Sequence, residues 1–282
     1  MSQVLTIARL TILEASRRKL LLALGALTVA VIVLTSWGFS RLPTVKGVTP
    51  AEVRFASSQL TILVAFMFSG VLALGSTLVA APSIASDIES GIALAILPRP
   101  IRRSQLLMGK WLGLALLVSL YAAGSGLLEL LGIWLATRYT PPNPLVAIAF
   151  VAAEGIILMT LALLLSTRLA PMTGGVIALV LFFVAWIGGI ALAIGQGFAN
   201  DTIINIGVSS RLLIPTDGLW HGAIFYLEPS DFLAAARAAG RARAANPFFA
   251  DQPPPAIYIA WVVGWLAALV GLANWSFAKR DL

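Results

Sequence analysis

The chain has 282 residues, of which 59% are hydrophobic and only 11% charged, with a net charge of +7. A soluble domain covers its surface with roughly a quarter charged residues, so this composition excludes a water-soluble fold and points to a bilayer. The chain has no cysteine and one histidine, His221, which excludes a disulfide framework, a thiolate metal site and a histidine cluster.

Residues Met1–Lys19 are modestly amphipathic. Val4, Ala8, Thr11, Ile12 and Ala15 share one helical face, and Arg9, Glu14, Arg17 and Arg18 lie largely off it. This predicts an interfacial helix leading into a first span. The run Leu20–Phe39 has spanning length and no A-x-A site follows it, which predicts an uncleaved anchor rather than a signal peptide. Five more runs reach the required length of about 20 residues. They are Leu60–Ala81, Leu106–Ala136, Leu145–Leu165, Gly174–Ile194 and Ala256–Trp275. The expected fold is an all-α polytopic membrane protein in one domain, 1–282, with both termini on one side.

Between the second and third runs lies Ser86–Lys110, a charged break that is still compatible with a helix. It begins with Asp87 and Glu89 and runs as a short apolar helix to Leu97. It stops at Pro98 and Pro100, then presents Arg99, Arg102 and Arg103. On a helical wheel Ile88, Ile92, Ala95 and Ile96 share one face, and Asp87, Ser90, Leu94 and Leu97 lie opposite. Such a helix can lie on the membrane and offer a second face to a partner. An ordinary interfacial loop fits the pattern equally well. The arginines are expected at anionic head groups, and Lys110 and Trp111 at the inner interface.

Two acids fall inside spans, Glu129 and Glu154. Counted from the outer ends Ala136 and Leu145 they are seven and nine residues deep, roughly 10 and 14 Å at 1.5 Å per residue. A carboxylate facing lipid costs several kcal/mol, so each is expected to face the bundle interior or carry a proton. A polar lining of an exit path and a neutral acid bonded to a neighbouring helix are both open readings. Gly109 and Gly113, Gly174 and Ala178, and Gly264 and Ala268 are four apart, as close helix packing requires. Trp37, Trp134, Tyr139 and Trp220 suit the outer interface, and Trp111 and Trp275 the inner one.

The stretch Gln196–Pro255 is the largest connection. Thr202–Leu227 mixes apolar and polar residues, breaks at Pro215, and is compatible with a partial dip into the membrane. Ser230–Asn246 opens with a plausible N-cap and is alanine-rich. Two short helical pieces lying over the outer mouth are expected, with an unstructured external loop as the alternative.

Charge orients the bundle. Met1–Lys19, Pro82–Lys110, Ser166–Thr173 and Ser276–Leu282 hold eleven of the 19 basic residues and four of the 12 acidic ones, and the remainder balances at eight of each. The whole excess lies on one face, which predicts that this face and both termini are cytoplasmic. Basic residues sit beside span ends without interleaved aromatics, so membrane lipids, not nucleic acid, account for them. A Walker A loop needs G-x-x-x-x-G-K-[ST] to hold phosphates and Mg²⁺. The nearest string, Gly109-Lys110-Trp111, lacks the hydroxyl and the upstream glycine. Neither a nucleophile elbow nor an HExxH pattern is present, so no enzymatic site and no cofactor are expected on this chain.

The order Glu89, Gly91, Leu97, Arg99, Pro100, Arg103, Leu106, Leu107, Gly109, Lys110 resembles the first cytoplasmic loop of ABC-2 type transporter permeases. Ile92 and Leu94 stand where family members often carry Thr and Glu. The ending Phe277–Leu282, FAKRDL, and the run of spans resemble the family too, so the likeness covers the whole chain. The resemblance implies the membrane subunit of an ATP-driven exporter in a prokaryotic plasma membrane. It implies two copies of a separate ABC ATPase holding ATP and Mg²⁺, and a second permease copy or related permease. It implies that Ser86–Leu97 is the coupling helix, with Asp87, Glu89, Ser90, Gly91, Leu94, Leu97 and Arg99 at the ATPase contact. Glu129 and Glu154 would then lie along the translocation path. The residues leave two other classes open: an ion-coupled secondary transporter, and a non-transport subunit relaying ATPase motion to an extracytoplasmic partner.

Overall fold

A computed structural model describes residues 3–89, 102–238 and 246–280. These residues form helices and connections, with no strand among them. Helix α1 is Gln3–Ser16, α2 Lys19–Arg41, α3 Pro50–Ala80 and α4 Pro82–Glu89. Helix α5 is Arg103–Thr137, α6 Pro144–Ser166 and α7 Pro171–Phe198. Then come α8 Asp201–Leu213, α9 Thr216–Leu227, α10 Ser230–Ala238 and α11 Ala256–Ala278. The helices α2, α3, α5, α6, α7 and α11 are long and apolar enough to cross a membrane.

The helix ends follow local chemistry. Helix α3 begins at Pro50 rather than at Leu60 because a capping box starts it there. Thr49 Oγ1 accepts from the Glu52 amide at 3.3 Å, and Glu52 Oε2 accepts from the Thr49 amide at 2.7 Å. Prolines occupy the first helical position of α6 and α7, where their missing amide costs nothing. Helices α5 and α7 end on Arg138 and Ala199, both left-handed at φ 57 and 53. Asn200 then caps α8, its Oδ1 accepting from the Ile203 amide at 3.1 Å.

Helix α6 sits at the centre, packed against α3, α5, α7, α9 and α11. Leu158, Met159, Ala162 and Leu163 of α6 are fully buried. Helices α2 and α11 lie at the flanks and turn apolar side chains outward, among them Leu22, Val33 and Leu34 on α2 and Ile257 and Val263 on α11. That is the surface a bilayer requires. Helix α1 lies against α5, and Gly109 and Gly113 of α5 explain how. A Cβ on Gly113 would come within 2.6 Å of the Ala8 carbonyl oxygen, and one on Gly109 within 2.6 Å of Ile7.

The largest departure from expectation concerns the stretch after α7. Helices α8 and α9 do not lie over an outer mouth; they take the other course open to Thr202–Leu227, a re-entrant hairpin in which α8 lies on α7 and α9 is buried among the spans. Helix α8 runs back along α7, with Ile204 beside Gly195, Gly207 against Leu192 and Ser210 beside Gly188. The chain turns at Pro215, and α9 returns along α6 from Ile157 to Asn143, whose amide donates to Tyr226 O at 3.1 Å. The turn reaches the level of Gly189, nine residues below the end of α7, or about 14 Å along the helix axis. Glycine on both helices lets the backbones approach, so α8 packs closely on α7 with Gly207 buried at the contact. Trp220 is accordingly 2% exposed, packed on Phe66, and not an interfacial anchor.

The span ends nearest the two termini also differ from expectation. Arg103 does not reach outward to head groups. Its Nη1 donates to the carbonyls of Ala278 at 3.0 Å and Arg280 at 2.7 Å. Arg168 donates to Ser276, and Arg280 Nη1 donates to Thr167 O at 2.5 Å. Carbonyls at a helix C-terminus lack intrahelical donors, and guanidinium groups satisfy them here. Trp111 donates from its indole to Thr160 Oγ1 at 2.9 Å, and Lys110 is buried with its ammonium on Ser83 O. Other aromatics mark span ends as expected: Arg41 lies over Trp37, Arg138 over Trp134 and Lys279 over Trp275.

Candidate translocation and coupling sites

Glu129 and Glu154 both point into protein, and each takes a hydroxyl from a neighbouring helix. Glu129 on α5 is 5% exposed; its Oε2 accepts from Thr35 Oγ1 of α2 at 2.9 Å. Glu154 on α6 is 2% exposed; its Oε2 accepts from Ser69 Oγ of α3 at 2.8 Å. The two acids do not bond to one another and serve different helix pairs. Glu129 Oε1 is buried with no hydrogen-bond partner. Glu129 is also among the residues around a cavity of about 60 Å³ between α3, α5 and α6, whose walls are almost wholly apolar.

A third polar group lies at the turn of the re-entrant hairpin. Arg211 of α8 grips Asp217 of α9 through two donors onto Oδ2, Nε at 2.9 Å and Nη2 at 2.7 Å. His221 Nδ1 stands 3.4 Å from the same oxygen and 2.9 Å from the Asp217 carbonyl. Asp217 is 3% exposed and rests on Gly189, where a Cβ would fall 1.9 Å from its Oδ1. Burial alone would raise the proton affinity of this carboxyl. His221 and Arg211 outweigh it and hold the group below the ordinary carboxylate range. Two donors from α11 fasten the same turn: Tyr258 to Pro215 O at 3.1 Å, and Trp261 to Leu212 O at 3.1 Å. Sequence reading passed over Arg211, Asp217 and His221. The available signal was an Asp–His pair at i, i+4, with an arginine six residues before the aspartate across a proline, all inside an otherwise apolar stretch.

At the opposite end, α4 continues from α3 through Ala81 and turns in beneath the bundle. Ser83, Ile84 and Ala85 are buried, and α4 packs on α6 and α7. The Lys110 ammonium holds it from α5 through the Ser83 carbonyl. Asp87 and Glu89 belong to the last turn of α4. Ser90, Gly91, Leu94, Leu97 and Arg99 lie outside the described residues. Among the described residues no group of three or more metal-ligating side chains is found.

Comparison with curated proteins returned no match. A family model does match, over residues 5–282, which takes in Arg103, Arg168 and Arg280, both buried acids and the re-entrant hairpin. Its description is ABC-2 family transporter protein, and the chain belongs to that family.

Proposed function

We propose that this chain, an ABC-2 membrane permease, exports a substrate across a prokaryotic plasma membrane, powered by a separate ATPase. Two permease copies, or this chain with a related permease, form the pathway. Two ATPase copies bind and hydrolyse ATP with Mg²⁺, and this chain catalyses nothing itself. The ATPase docks on the stretch 86–97. Both termini face the cytoplasm.

The observation that carries this reading is the seating of α4. A docking segment transmits force only if its root is rigid. Here the root is buried and touches three spans at once, α6 and α7 through packing and α5 through Lys110. Displacement of 86–97 by an ATPase is therefore delivered to the central helix α6, which carries Glu154 and packs on the re-entrant hairpin.

Leu94→Asp tests the docking directly. It places a charge in a desolvated contact, at a cost of several kcal/mol. ATPase recovered by pull-down should fall at least tenfold, or substrate-stimulated hydrolysis should be lost, while expression stays normal. Ser104→Asp, on α5 beyond the prolines, should leave both close to the parent. Parent-like binding and coupling in Leu94→Asp would move the docking site elsewhere.

Orientation is tested by single cysteines, since the chain has none of its own. Ser104→Cys should resist an impermeant thiol reagent in intact cells, and Gly240→Cys should react with it. The reverse pattern would invert the topology.

A further inference from the structure

We infer that the outward face of α8 is a pairing surface for α8 of a second copy of this chain, joined through Asn205. This deepens the proposed function and rests on its reading that two permeases form the pathway. Of the two assemblies named there, it selects the homodimer.

The face is defined by the side of α8 that is already occupied. Ile204, Gly207 and Ser210 lie against α7, at Gly195, Leu192 and Gly188. Straight across the helix from them runs a polar line, Thr202, Asn205 and Ser209, all exposed. Exposed apolar side chains border it, Ile206 and Leu213 on one side and Val208 on the other. Among the described residues, none of the three polar side chains makes a hydrogen bond. Hydroxyls inside other spans return to their own helix, as Thr61 Oγ1 does to Ser57 O and Ser125 Oγ to Tyr121 O, both at 2.7 Å. Asn205 is the sharper case. Its carboxamide carries two donors and an acceptor, and acyl chains offer a partner to neither.

The spacing selects the neighbour. Thr202, Asn205, Ser209 and Leu212 stand at i, i+3, i+7 and i+10, the repeat by which two helices pack along one seam. Small Thr and Ser let membrane helices approach closely, and an asparagine bonds across the contact. No charged residue stands on the seam, so it does not repel its own copy. Arg211 is turned off it and held by Asp217 at 2.7 Å. Two copies of one chain insert in the same orientation, so the twofold axis relating them runs along the bilayer normal. That axis sets α8 parallel to its mate and puts each seam residue opposite itself. Asparagine is suited to meeting itself, since each carboxamide can donate to the oxygen of the other.

The test uses the full-length permease expressed alone in membranes, with single cysteines placed in a chain that has none. Under membrane-permeant copper phenanthroline, Thr202→Cys and Ser209→Cys, which both keep Asn205, should become disulfide-linked dimers. Leu22→Cys on α2 and Ile257→Cys on α11, equally exposed in one copy, should stay monomeric. Dimer dissociation in mild detergent is followed separately, by energy transfer between copies labelled at Ser104→Cys. Asn205→Leu should raise the dissociation constant about tenfold, and Asn205→Gln, which keeps the carboxamide, about threefold or less. Absence of a crosslink at both seam positions, an equal crosslink at Leu22→Cys, or a parent-like dissociation constant in Asn205→Leu would overturn the inference. A chain that stays monomeric alone and pairs only with a related permease overturns it too, and leaves the exporter reading standing. Loss of ATP-driven transport with the crosslinks intact would sink that reading and leave this one.

Discussion

Asp217→Ala is expected to be among the most destabilising substitutions in this protein, lowering its unfolding temperature in detergent by roughly 5 °C or more. The reasoning starts from the asymmetry of buried pairs. A buried ion pair adds little net stability, but removing one partner strands the other and costs about 3–5 kcal/mol. Arg211 keeps a quarter of its side-chain surface exposed, so the low end of that range applies. It would lose both of its bonds to Asp217 Oδ2 at the turn of the hairpin. The reciprocal variant, Arg211→Ala, has a pH signature. In the parent the Asp217 carboxyl is held below its ordinary range. The stability it contributes is therefore present above the unfolded-state carboxylate pKa and is lost as pH falls through the depressed one. Removing Arg211 should weaken that acid-side loss, because a carboxyl in that site then takes up a proton more readily. An unfolding temperature in Asp217→Ala within a degree of the parent would show that the pair does not hold the hairpin.

Gly113→Val carries the second large effect, and its cause is steric. A Cβ at this position would sit 2.6 Å from the Ala8 carbonyl oxygen and 3.0 Å from Thr11 Cβ. The first of these is backbone, which cannot rotate away, so α1 must move off α5. Overpacking of this kind costs about 1–3 kcal/mol, and here it falls on a single helix attached by one face. Detachment should show as faster tryptic cleavage at Arg17 and Arg18 in purified protein, with the remaining spans intact. Gly124→Val, on the same helix with nothing within 4 Å of its Cβ, is the matched control. Equal cleavage rates in the two variants would mean that α1 is not seated through Gly113.

The spans were legible because bilayer thickness imposes a length that composition alone can meet. The start of α3 was not, because a capping box can begin a helix ten residues before its apolar run. Glu129 and Glu154 stood out as charges in apolar runs. What no periodicity could reveal was that one oxygen of Glu129 would be buried without a hydrogen bond. That depends on how α3, α5 and α6 meet. The stretch of α8–α9 is legible as helical pieces, and its mixed polarity allows both a place over the outer mouth and a dip into the membrane. The polar residues at its turn turned out to serve each other: Arg211 and Asp217 neutralise charge that would otherwise bar the segment from the bundle. Lys110 misled for a similar reason, since an interfacial place for a lysine and a buried one on a carbonyl look alike in sequence.

The closeness of Arg211 and Asp217 in the chain bears on how this protein is made. The two lie six residues apart and join across one turn, so the pair needs no other helix in order to form. A hairpin that cancels its own charge can enter the bilayer as a finished unit, at the moment α7 has crossed and before α11 has been synthesised. Tyr258 and Trp261 then arrive with α11 and bond to carbonyls already in place. A span made after the hairpin is the one that locks it in.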